Sequence, residues 1–374
     1  MTRLVKGPGD ARLPRSVDVA RLAGVSQKTV SRVLNNEPYV SAEARRRVLA
    51  AADQLGYRLN NAARALASGR TRSIGVVSLG TALFGPASLL IGVERAVRDA
   101  GYALRVVNTL EGDARGVAGA VESLLEQGVD GIVISEPIDE QTGPVRVDVP
   151  VLVLGAPSSF AAPRVVTTGV STELLARVAT EHLLDLGHAT VHHVAGPQRW
   201  FAARERLEGW QAALRARGLR EPSVLRGDWS AASGYAAGRE LAGREPGGRE
   251  PGGREPGGRE PGGDAVTAVF AANDDMAIGV IRALVEAGRR VPEDVSVVGF
   301  DDIPVAAYVT PPLTTVRQPF DAVAREGIKL LVQTIEQPDA DLPAAAGQPV
   351  ELVVRSSTAP PPWTTPGPAR TTSG

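Results

Sequence analysis

The sequence predicts a doubly wound α/β fold of parallel sheets, preceded by a small all-α domain. Three observations lead to this prediction. The chain has 374 residues, more than a single compact core usually holds. From Ser73 onward, apolar runs rich in Val and Ile alternate with helical segments, which is typical of a doubly wound fold. Residues 17–55 instead carry apolar side chains at helical spacing only.

Three short helices are predicted in the all-α segment. Gly24 separates the first two, and the turn 35–38 separates the second from the third. Ser26 and Ser41 are expected to cap the second and third helices through their hydroxyls, and Gly56 ends the third. The apolar side chains that set the helical spacing are Val17, Ala20, Ala23, Val30, Val33, Leu34, Val48, Leu49, Ala52 and Leu55.

The charge of the chain is unevenly distributed. Residues 1–70 carry 13 Lys and Arg against 5 Asp and Glu, which makes this segment +8, although the whole chain is −1. A basic first domain on an acidic body favours nucleic acid as a partner. A disordered basic tail is the alternative, and the helical spacing argues against it.

In the larger domain, seven apolar runs are predicted to be strands and four segments to be helices. The strands are continuous apolar runs, as expected when helices cover both faces of a parallel sheet. The length of this region predicts two lobes. The predicted strands are Ile74–Val77, Leu104–Val107, Gly131–Ile134, Val151–Leu154, Val191–Ala195, Val266–Ala271 and Val295–Phe300. The predicted helices are Ala87–Ala100, Gly116–Gln127, Leu174–Leu186 and Met276–Ala287.

Several classes of protein are disfavoured by the sequence. There is no cysteine, so disulfides, thiol catalysis and Cys-ligated zinc are excluded. No apolar run is long enough to span a bilayer, and the N-terminus lacks a signal peptide, so a cytoplasmic protein with no membrane partner is expected. No nucleophile elbow or phosphate loop is found, so neither an enzyme nor a cofactor is expected. His192 and His193 would point to opposite faces of a strand, so no metal site is expected.

Residues 18–35 have the spacing of a helix–turn–helix. The second helix would present Gln27, Lys28, Ser31 and Arg32 outward, which suits the major groove because Gln pairs with adenine and Arg or Lys with guanine. A small helical bundle with a solvated polar face is the alternative. The side chains expected to donate to phosphates are Ser26, Thr29, Ser31 and Asn35.

These motifs resemble those of the LacI/GalR family of bacterial transcriptional regulators, and most closely its lactose-repressor-like members. The resemblance is carried by Asp18-Val-Ala, Ala23-Gly-Val-Ser, Thr29-Val-Ser-Arg-Val-Leu-Asn35, Val40-Ser41 and Leu55-Gly-Tyr57. It implies a periplasmic-binding-protein-like domain behind the helix–turn–helix. It also implies a repressor of sugar-utilisation genes whose affinity for double-stranded operator DNA is controlled by a small, galactoside-like sugar. The family usually has Thr and an aliphatic residue before Asp18, so here Ser16 is expected to cap the first helix.

The resemblance also implies a hinge after the helix–turn–helix. In the family this stretch becomes helical only on operator DNA, where two hinges insert a leucine pair into the minor groove, and Leu66 stands at that position. An apolar wedge of this kind can kink a base step. Leu59 replaces a proline that is frequent in the family, and a plain linker is the alternative. Tyr39, Asn60 and Ala63 are the further DNA contacts that the resemblance implies.

An effector pocket is expected between the lobes, where polar residues follow apolar strands. Carboxylate, amide and guanidinium groups bind vicinal hydroxyls, and an aromatic face covers the apolar side of a sugar ring. The candidates are Ser135, Arg206, Trp229, Asn273 and Asp301, to which the resemblance adds Gln318 and an apolar wall of Leu83, Gly85, Pro86 and Leu89.

Two departures from the lactose-repressor-like pattern concern this pocket. Leu154-Gly155 stands where that subgroup has an Asp, and Ser135 stands where it has an Asn. A sugar related to a β-galactoside is therefore nearly as well supported as a β-galactoside itself. Asp274 and Asp302 are expected to cap helices and turns rather than to bind the effector.

The predicted organisation runs from a flexible arm to a disordered tail. No leucine heptad follows the second domain, so a homodimer is expected rather than a tetramer. A transport-type sugar-binding protein and a sugar-processing enzyme are the alternative functions. The predicted segments are an arm (1–15), a helix–turn–helix headpiece (16–58), a hinge (59–70), a two-lobed domain (71–358) and a tail (359–374). Within the two-lobed domain, lobe 1 is predicted at about 71–169 and 320–345, and lobe 2 at about 170–318 and 346–358, with four Arg-Glu-Pro-Gly-Gly copies at 244–263 as a flexible insertion.

Overall fold

The chain forms two compact units, Met1–Thr71 and Arg72–Gly374. The computed structural model describes residues 14–34, 38–57, 69–110, 116–135, 138, 145–154, 160–243, 266–341 and 349–362. In these ranges no helix is long and apolar enough to cross a membrane. The predicted fold class, an all-α segment followed by a doubly wound α/β region, is confirmed.

The first unit contains three helices around a small core. They are α1 (Ser16–Ala23), α2 (Gln27–Leu34) and α3 (Ala42–Leu55). Ser26 caps α2 by accepting from the Thr29 N–H at 3.1 Å, and Ser41 caps α3 by accepting from the Ala44 N–H at 3.2 Å, as predicted. The buried core side chains are Val19, Ala20, Ala23, Val30, Val33, Val48, Ala51 and Ala52.

One prediction at the start of α1 is wrong. Ser16 does not cap the helix, because the Asp18 carboxylate reaches back and accepts from the Arg15 N–H at 2.9 Å. The Ser16 hydroxyl instead accepts from Gln27 Nε2 at 2.8 Å. Arg15 is the N-terminal capping residue of α1. Residues 1–13 lie outside the described part of the chain.

A side chain of α3 holds the turn between α1 and α2. Gly24 ends α1 with a φ of +62°, a left-handed conformation that glycine adopts without strain. The Arg47 guanidinium donates to the carbonyl oxygens of Ala23 and Gly24, the latter at 3.1 Å. A cation therefore lies at the C-terminus of α1, where the helix dipole favours positive charge.

Lobe 1 of the second unit is a parallel five-stranded sheet with helices on both faces. Its strand order is β2-β1-β3-β5-β7. The strands are β1 (Ser73–Leu79), β2 (Ala103–Thr109), β3 (Gly131–Ser135), β5 (Val151–Leu154) and β7 (Val165–Thr168); β4 (Val145–Arg146) and β6 (Phe160–Ala161) pair separately. The helices are α4 (Phe84–Asp99), α5 (Gly116–Glu126) and α10 (Phe320–Glu336), and α10 packs against α4 and β5.

Lobe 2 is a six-stranded sheet of order β13-β12-β11-β10-β8-β9. All its pairings are parallel except that of β13 with β12. Its strands are β8 (His192–Ala195), β9 (Leu225–Arg226), β10 (Ala268–Ala271), β11 (Ser296–Asp301), β12 (Thr314–Arg317) and β13 (Glu351–Val353). Its helices are α6 (Thr172–Asp185), α7 (Phe201–Ala216), α8 (Ala231–Gly243) and α9 (Asp274–Glu286).

The chain passes between the lobes three times, after β7, after β12 and after α10. An ion network lies beside the last two passages. Asp302 accepts from Arg317 at 2.7 Å and from Arg355 at 2.6 Å, and Arg317 also pairs with Glu351 at 2.7 Å. The network joins the end of β12 to the start of β13, so it ties together two of the segments that connect the lobes.

The predicted start of the disordered tail is wrong. The Ala359 N–H donates to Ser296 Oγ at 3.0 Å, and the Ala359 carbonyl accepts from the same hydroxyl at 2.9 Å. Ser357, fully buried, donates to the Val297 carbonyl at 2.6 Å. These bonds hold residues 357–359 against β11, so the packed chain continues past the predicted start of the tail. Residues 363–374, and the repeat at 244–263, lie outside the described residues.

Candidate functional site

A cleft with a cavity volume of about 160 Å³ lies between the two lobes and opens partly to solvent. It is the point where the polar residues that follow the strands meet the first turns of several helices. The structure brings all ten residues of the predicted pocket together in its lining: Leu83, Gly85, Pro86, Leu89, Ser135, Arg206, Trp229, Asn273, Asp301 and Gln318.

Arg206 is the centre of the polar part of the cleft. It lies on α7, is buried, and donates to the Ala272 carbonyl and to Asp301 Oδ1, the latter at 3.2 Å. Gln318 Nε2 donates to the same oxygen at 2.7 Å. The guanidinium carbon lies 3.9 Å from the centroid of the Phe300 ring and 5.4 Å from that of Trp229. Two buried charges are therefore paired, hydrogen-bonded and covered by aromatic faces, as buried ions require.

Burial shifts the pKa values of both Arg206 and Asp301 away from their ordinary values. Desolvation raises the pKa of Asp301, and the Arg206 charge opposes that rise. Desolvation likewise lowers the pKa of Arg206, and the Asp301 carboxylate opposes that fall. A shifted pKa in a cleft, with a specific charge partner, is typical of functional sites.

Asn273 and Trp229 form a second connected part of the site. Asn273 caps α9 through Oδ1, which accepts from the Met276 N–H at 2.9 Å, and its Nδ2 donates to the Trp229 carbonyl at 3.0 Å. Trp229 and Asp301 both have positive φ, at +76° and +108°. Non-glycine residues seldom adopt such conformations, and they cluster at ligand sites, where the surrounding structure holds them in place.

The opposite wall belongs to lobe 1 and is apolar. It is made by the start of α4, where Leu83 precedes the helix in an extended conformation and Gly85 and Pro86 lie in its first turn. Phe84 packs edge-on against Phe320 of α10, with ring centroids 6.1 Å apart. The cleft therefore has a polar floor in lobe 2 and an apolar, partly aromatic wall in lobe 1.

Sequence reasoning missed seven lining residues as members of the site. They are Phe84, Thr172, Trp200, Phe201, Ala202, Glu205 and Phe320. Most lie in the first turns of α4, α6, α7 and α10, next to residues that were predicted. The available signal was this adjacency, because Trp200, Phe201 and Glu205 come shortly before Arg206 on the same helix.

Asp274 and Asp302 have the structural roles that were expected. Asp274 is fully buried and accepts from the Ile303 N–H at 2.8 Å and from the Thr315 hydroxyl at 2.6 Å. Burial raises its pKa to about 8, against the hydrogen bond from Thr315. Asp302 anchors the ion network described above. Both carboxylates therefore stabilise the loops around the cleft and do not line it.

His192 and His193, the two histidines considered as metal ligands, lie on β8 in lobe 2, and His188 lies in the same lobe. His193, on β8, stacks on Trp210 and Phe270, with centroids 5.5 and 4.8 Å away, and burial lowers its pKa to about 4. His188 hydrogen-bonds Thr267, Ser296 and the Ala359 carbonyl. Among the described residues, no group of three His, Asp or Glu is placed to hold a metal ion.

In the first unit, α2 presents one polar and one buried face. Val30 and Val33 are buried. The predicted base-reading residues are exposed: Gln27, Lys28, Ser31 and Arg32. Ser26 is exposed and Thr29 half-buried, and their hydroxyls lie 2.9 Å apart. Tyr39 is 98% exposed and has a φ of +69°. The remaining predicted DNA contacts, Asn35, Asn60, Ala63 and Leu66, lie outside the described residues.

Both units match known protein families. Residues 17–60 match bacterial regulatory proteins of the lacI family. Residues 84–251 match the periplasmic binding proteins and sugar binding domain of LacI family, and residues 180–358 match a periplasmic binding protein-like domain.

Individual relatives span nearly the whole chain. The ribose operon repressor of Escherichia coli K12 is 35% identical over 86% of this chain and 93% of its own length. The lactose operon repressor of the same organism is 33% identical over 84% of this chain and 83% of its own length. The crystal structure of the lac repressor dimer bound to operator and the anti-inducer ONPF superposes with a TM-score of 0.74 at 32% identity, covering 93% of this chain and 100% of that chain.

Proposed function

The chain belongs to the LacI family of bacterial regulatory proteins, and we propose that it is a repressor whose binding to operator DNA is controlled by a small sugar in the interlobe cleft. The observation that carries the proposal is the joint occurrence, in one chain, of the exposed polar face of α2 and a convergent polar set in the cleft. In that set Arg206, Asp301 and Asn273 are buried and Gln318 is half-buried. An exposed polar helix face suits the major groove. A buried, convergent polar set suits a small polar ligand.

The chemistry of the cleft fits a sugar ring. Asp301 Oδ1 accepts from both Arg206 and Gln318, so Oδ2 can accept a hydroxyl of the ligand. Gln318 and Asn273 can donate to and accept from further hydroxyls. The Trp229 ring can cover the apolar C–H face of the sugar. A galactoside-like sugar meets these requirements. A related sugar is also compatible, because Leu154 and Ser135 replace the Asp and Asn of the lactose-repressor-like pattern.

Control of DNA binding follows from a difference in sugar affinity between two arrangements of the lobes. A ligand shifts a conformational equilibrium only by its differential affinity for the two states. Closure of the lobes around the sugar would change the spacing of two headpieces in a homodimer and disfavour insertion of Leu66 into the minor groove. A two-fold dimer matches a two-fold symmetric operator. The protein would act in the cytoplasm, on nucleoid DNA, and release its sugar chemically unchanged.

The experiment is binding of the full-length protein to the DNA upstream of its own gene, at fixed salt, with and without a panel of galactosides and glucosides. We expect tight binding that one sugar abolishes. The variant Arg32→Ala should lose discrimination between operator and random DNA, whereas Arg206→Met should bind operator and ignore the sugar. Arg21→Ala, an exposed change on α1, is the matched control.

Two results would contradict the proposal. If Arg32→Ala still separated operator from random DNA, the assignment of α2 as the reading helix would be wrong. Turnover of any sugar in the panel, detected by chromatography, would favour a sugar-processing enzyme instead.

A further inference from the structure

A side-chain hydrogen bond joins the starts of the two helices of the helix–turn–helix. Ser16 is the first residue of α1, and Gln27 is the first residue of α2. The Asp18 carboxylate caps α1 by accepting from the Arg15 N–H at 2.9 Å, so the Ser16 hydroxyl is not needed at the helix end. The Ser16 oxygen instead accepts from Gln27 Nε2 at 2.8 Å. This bond therefore has a role other than capping.

The bond lies at the end of α2 that the proposed function directs towards the bases. In a helix–turn–helix the first residues of the second helix reach the base edges, while the first helix crosses the DNA backbone. The Gln27 side chain is exposed, as a base-reading group must be before DNA binds, and Ser16 beside it is half-buried. A contact that restrains Gln27 here acts directly on base recognition.

The contact distinguishes the two orientations of the Gln27 amide. A glutamine amide can rotate by 180° about its last side-chain bond, which exchanges its oxygen and its nitrogen. With Nε2 donating to Ser16, Oε1 lies on the other side of the planar amide. Among the described residues none donates to this oxygen, so Oε1 remains available as an acceptor. The second Nε2 hydrogen also remains available as a donor.

An acceptor next to a donor matches one base in the major groove. Adenine offers the N6 amino group and the N7 acceptor side by side, whereas guanine offers two acceptors, O6 and N7. Oε1 of Gln27 can accept from N6 while Nε2 donates to N7. Guanine would place O6 against Oε1 with no hydrogen between the two oxygens. The amide orientation in the structure therefore favours adenine.

We propose that Ser16 is a positioning residue that fixes the Gln27 amide, so that Gln27 selects adenine at one position in each half of the operator. This inference rests on the proposed function of α2. The Ser16 hydroxyl donates to none of the described residues, so on DNA it can donate to a phosphate oxygen, which only accepts. Its oxygen is then limited to accepting from Nε2, and this holds Oε1 towards the base.

The test exchanges single base pairs in one half of the operator and measures binding of the full-length protein by fluorescence anisotropy at fixed salt. We expect the parent to prefer adenine at one position by about tenfold, within the range of a specific base contact. Gln27→Ala should lose the preference there alone, which identifies the position. Ser16→Ala should reduce it to about twofold or less at that position and leave the preferences at the other positions unchanged.

Three controls separate positioning of Gln27 from a general effect on the fold. Ser16→Thr keeps the hydroxyl and should keep the preference for adenine. In a Gln27→Ala background, Ser16→Ala should change no base preference further, because both residues act through one amide. Arg21→Ala, an exposed change on α1, should bind as the parent does. Amide hydrogen exchange of α1–α3 checks that each variant is folded.

Four results would overturn the inference. If Ser16→Ala weakened binding to every sequence equally and kept the preference for adenine, the hydrogen bond would only join the two helices. A parent that preferred another base at the Gln27 position would hold the amide differently. No lost preference in Gln27→Ala would mean that Gln27 reads no base. If the parent did not separate operator from random DNA, the proposed function itself would fail.

Discussion

At the scale of single residues, Trp229 owes its position to a glycine. A Cβ added at Gly196 would lie less than 3.0 Å from three carbons of the Trp229 ring. The ring can therefore occupy the cleft wall only because residue 196 has no side chain. No aliphatic substitute can relieve the overlap without moving the indole or β8.

We expect Gly196→Ala to lose the sugar response. The displaced indole no longer covers the sugar or supports Arg206, so affinity for the effector should fall by about tenfold or more, as for a buried aromatic contact of about 1.5–3 kcal/mol. Titration of the effector by fluorescence and operator binding without sugar measure the two properties separately. Gly243→Ala, at a position where a Cβ would meet nothing within 4 Å, is the control and should behave as the parent. Equal sugar affinity in both variants would show that Trp229 is not needed.

Asp274 should make the stability of the second unit depend on pH. The native state holds this proton up to about pH 8, whereas the ordinary pKa is 3.8. Between these values unfolding releases a proton, so the free energy of unfolding falls as pH rises, by up to about 1.4 kcal/mol per pH unit. Urea unfolding between pH 6 and 8.5 should show this fall in the parent and not in Asp274→Asn. The difference between the two proteins removes the contribution of the buried histidines. Parallel pH profiles for both would contradict the raised pKa.

At the scale of elements, some helix contacts depend on a single side chain, and others depend on glycines that have no side chain. In lobe 2, α8 and α9 touch through glycines: a Cβ at Gly234 or Gly279 would lie less than 3.0 Å from the backbone of the other helix. In the first unit, Arg47 of α3 binds the carbonyl oxygens at the end of α1. A helix–turn–helix turn is thus fixed by a residue outside the motif.

Arg47→Ala should loosen the first unit without affecting the second. Loss of hydrogen bonds from a charged donor to two carbonyl groups should lower the local unfolding free energy of α1–α3 by about 1–2 kcal/mol. Amide hydrogen exchange in the full-length protein reports each unit separately. Arg46→Ala, an exposed change on the same helix, is the control. Unchanged protection in α1 would mean that the turn is stable without Arg47.

The elements that sequence reasoning found differ in kind from those it missed. Val151–Leu154 was predicted with its observed bounds, because a strand covered on both faces is a continuous apolar run. β7 alternates buried and exposed residues, and β12 buries Thr314 and Thr315, whose hydroxyls are satisfied by Thr358 and Asp274. Neither has an apolar signal. α4 begins before its predicted start, because Pro86 is tolerated in a first turn that needs no N–H.

The residues of the candidate site also differ in how clearly the sequence indicates them. Asn273, Asp301 and Ser135 could be found because each comes at or just after the end of a buried strand. Trp200 and Phe201 are indicated only by their closeness to Arg206 in the sequence, because aromatic residues at the start of a helix otherwise have the same pattern as core residues. Glu205 has the sequence signature of a solvated helix face, and only the packing of α6 against α7 buries half of it.

At the scale of the whole molecule, each lobe is built from separate parts of the chain. Lobe 1 needs α10, and lobe 2 needs β13 and the residues that follow it. Residues 355–362 are attached to lobe 2 by an ion pair as well as by hydrogen bonds, because Arg355 pairs with the buried Asp302 carboxylate. Removing residues 355–362 would leave Asp302 with one partner fewer and would break the hydrogen bonds of Ser357 and Ala359 to β11.

Truncation after Val354 should destabilise lobe 2 by about 2–4 kcal/mol, because it removes the Arg355–Asp302 ion pair and the hydrogen bonds of Ser357 and Ala359 to β11. Removal of residues 363–374, which the sequence predicts to be disordered, should leave stability unchanged and serves as the control. Urea unfolding, followed through Trp210 and Trp229 in lobe 2, measures both. Equal midpoints for the two truncated proteins would show that residues 355–362 add nothing to the lobe.

The position of each unit along the chain also determines when that unit can fold during synthesis. α1–α3 are complete once residue 55 has left the ribosome, and domains generally fold as units during synthesis. Lobe 1 must wait for α10, and lobe 2 must wait for Ala359, long after its first strand has been made. Every nascent chain therefore carries a folded, basic DNA-reading unit through most of its translation, beside a regulatory domain that cannot yet close on a ligand.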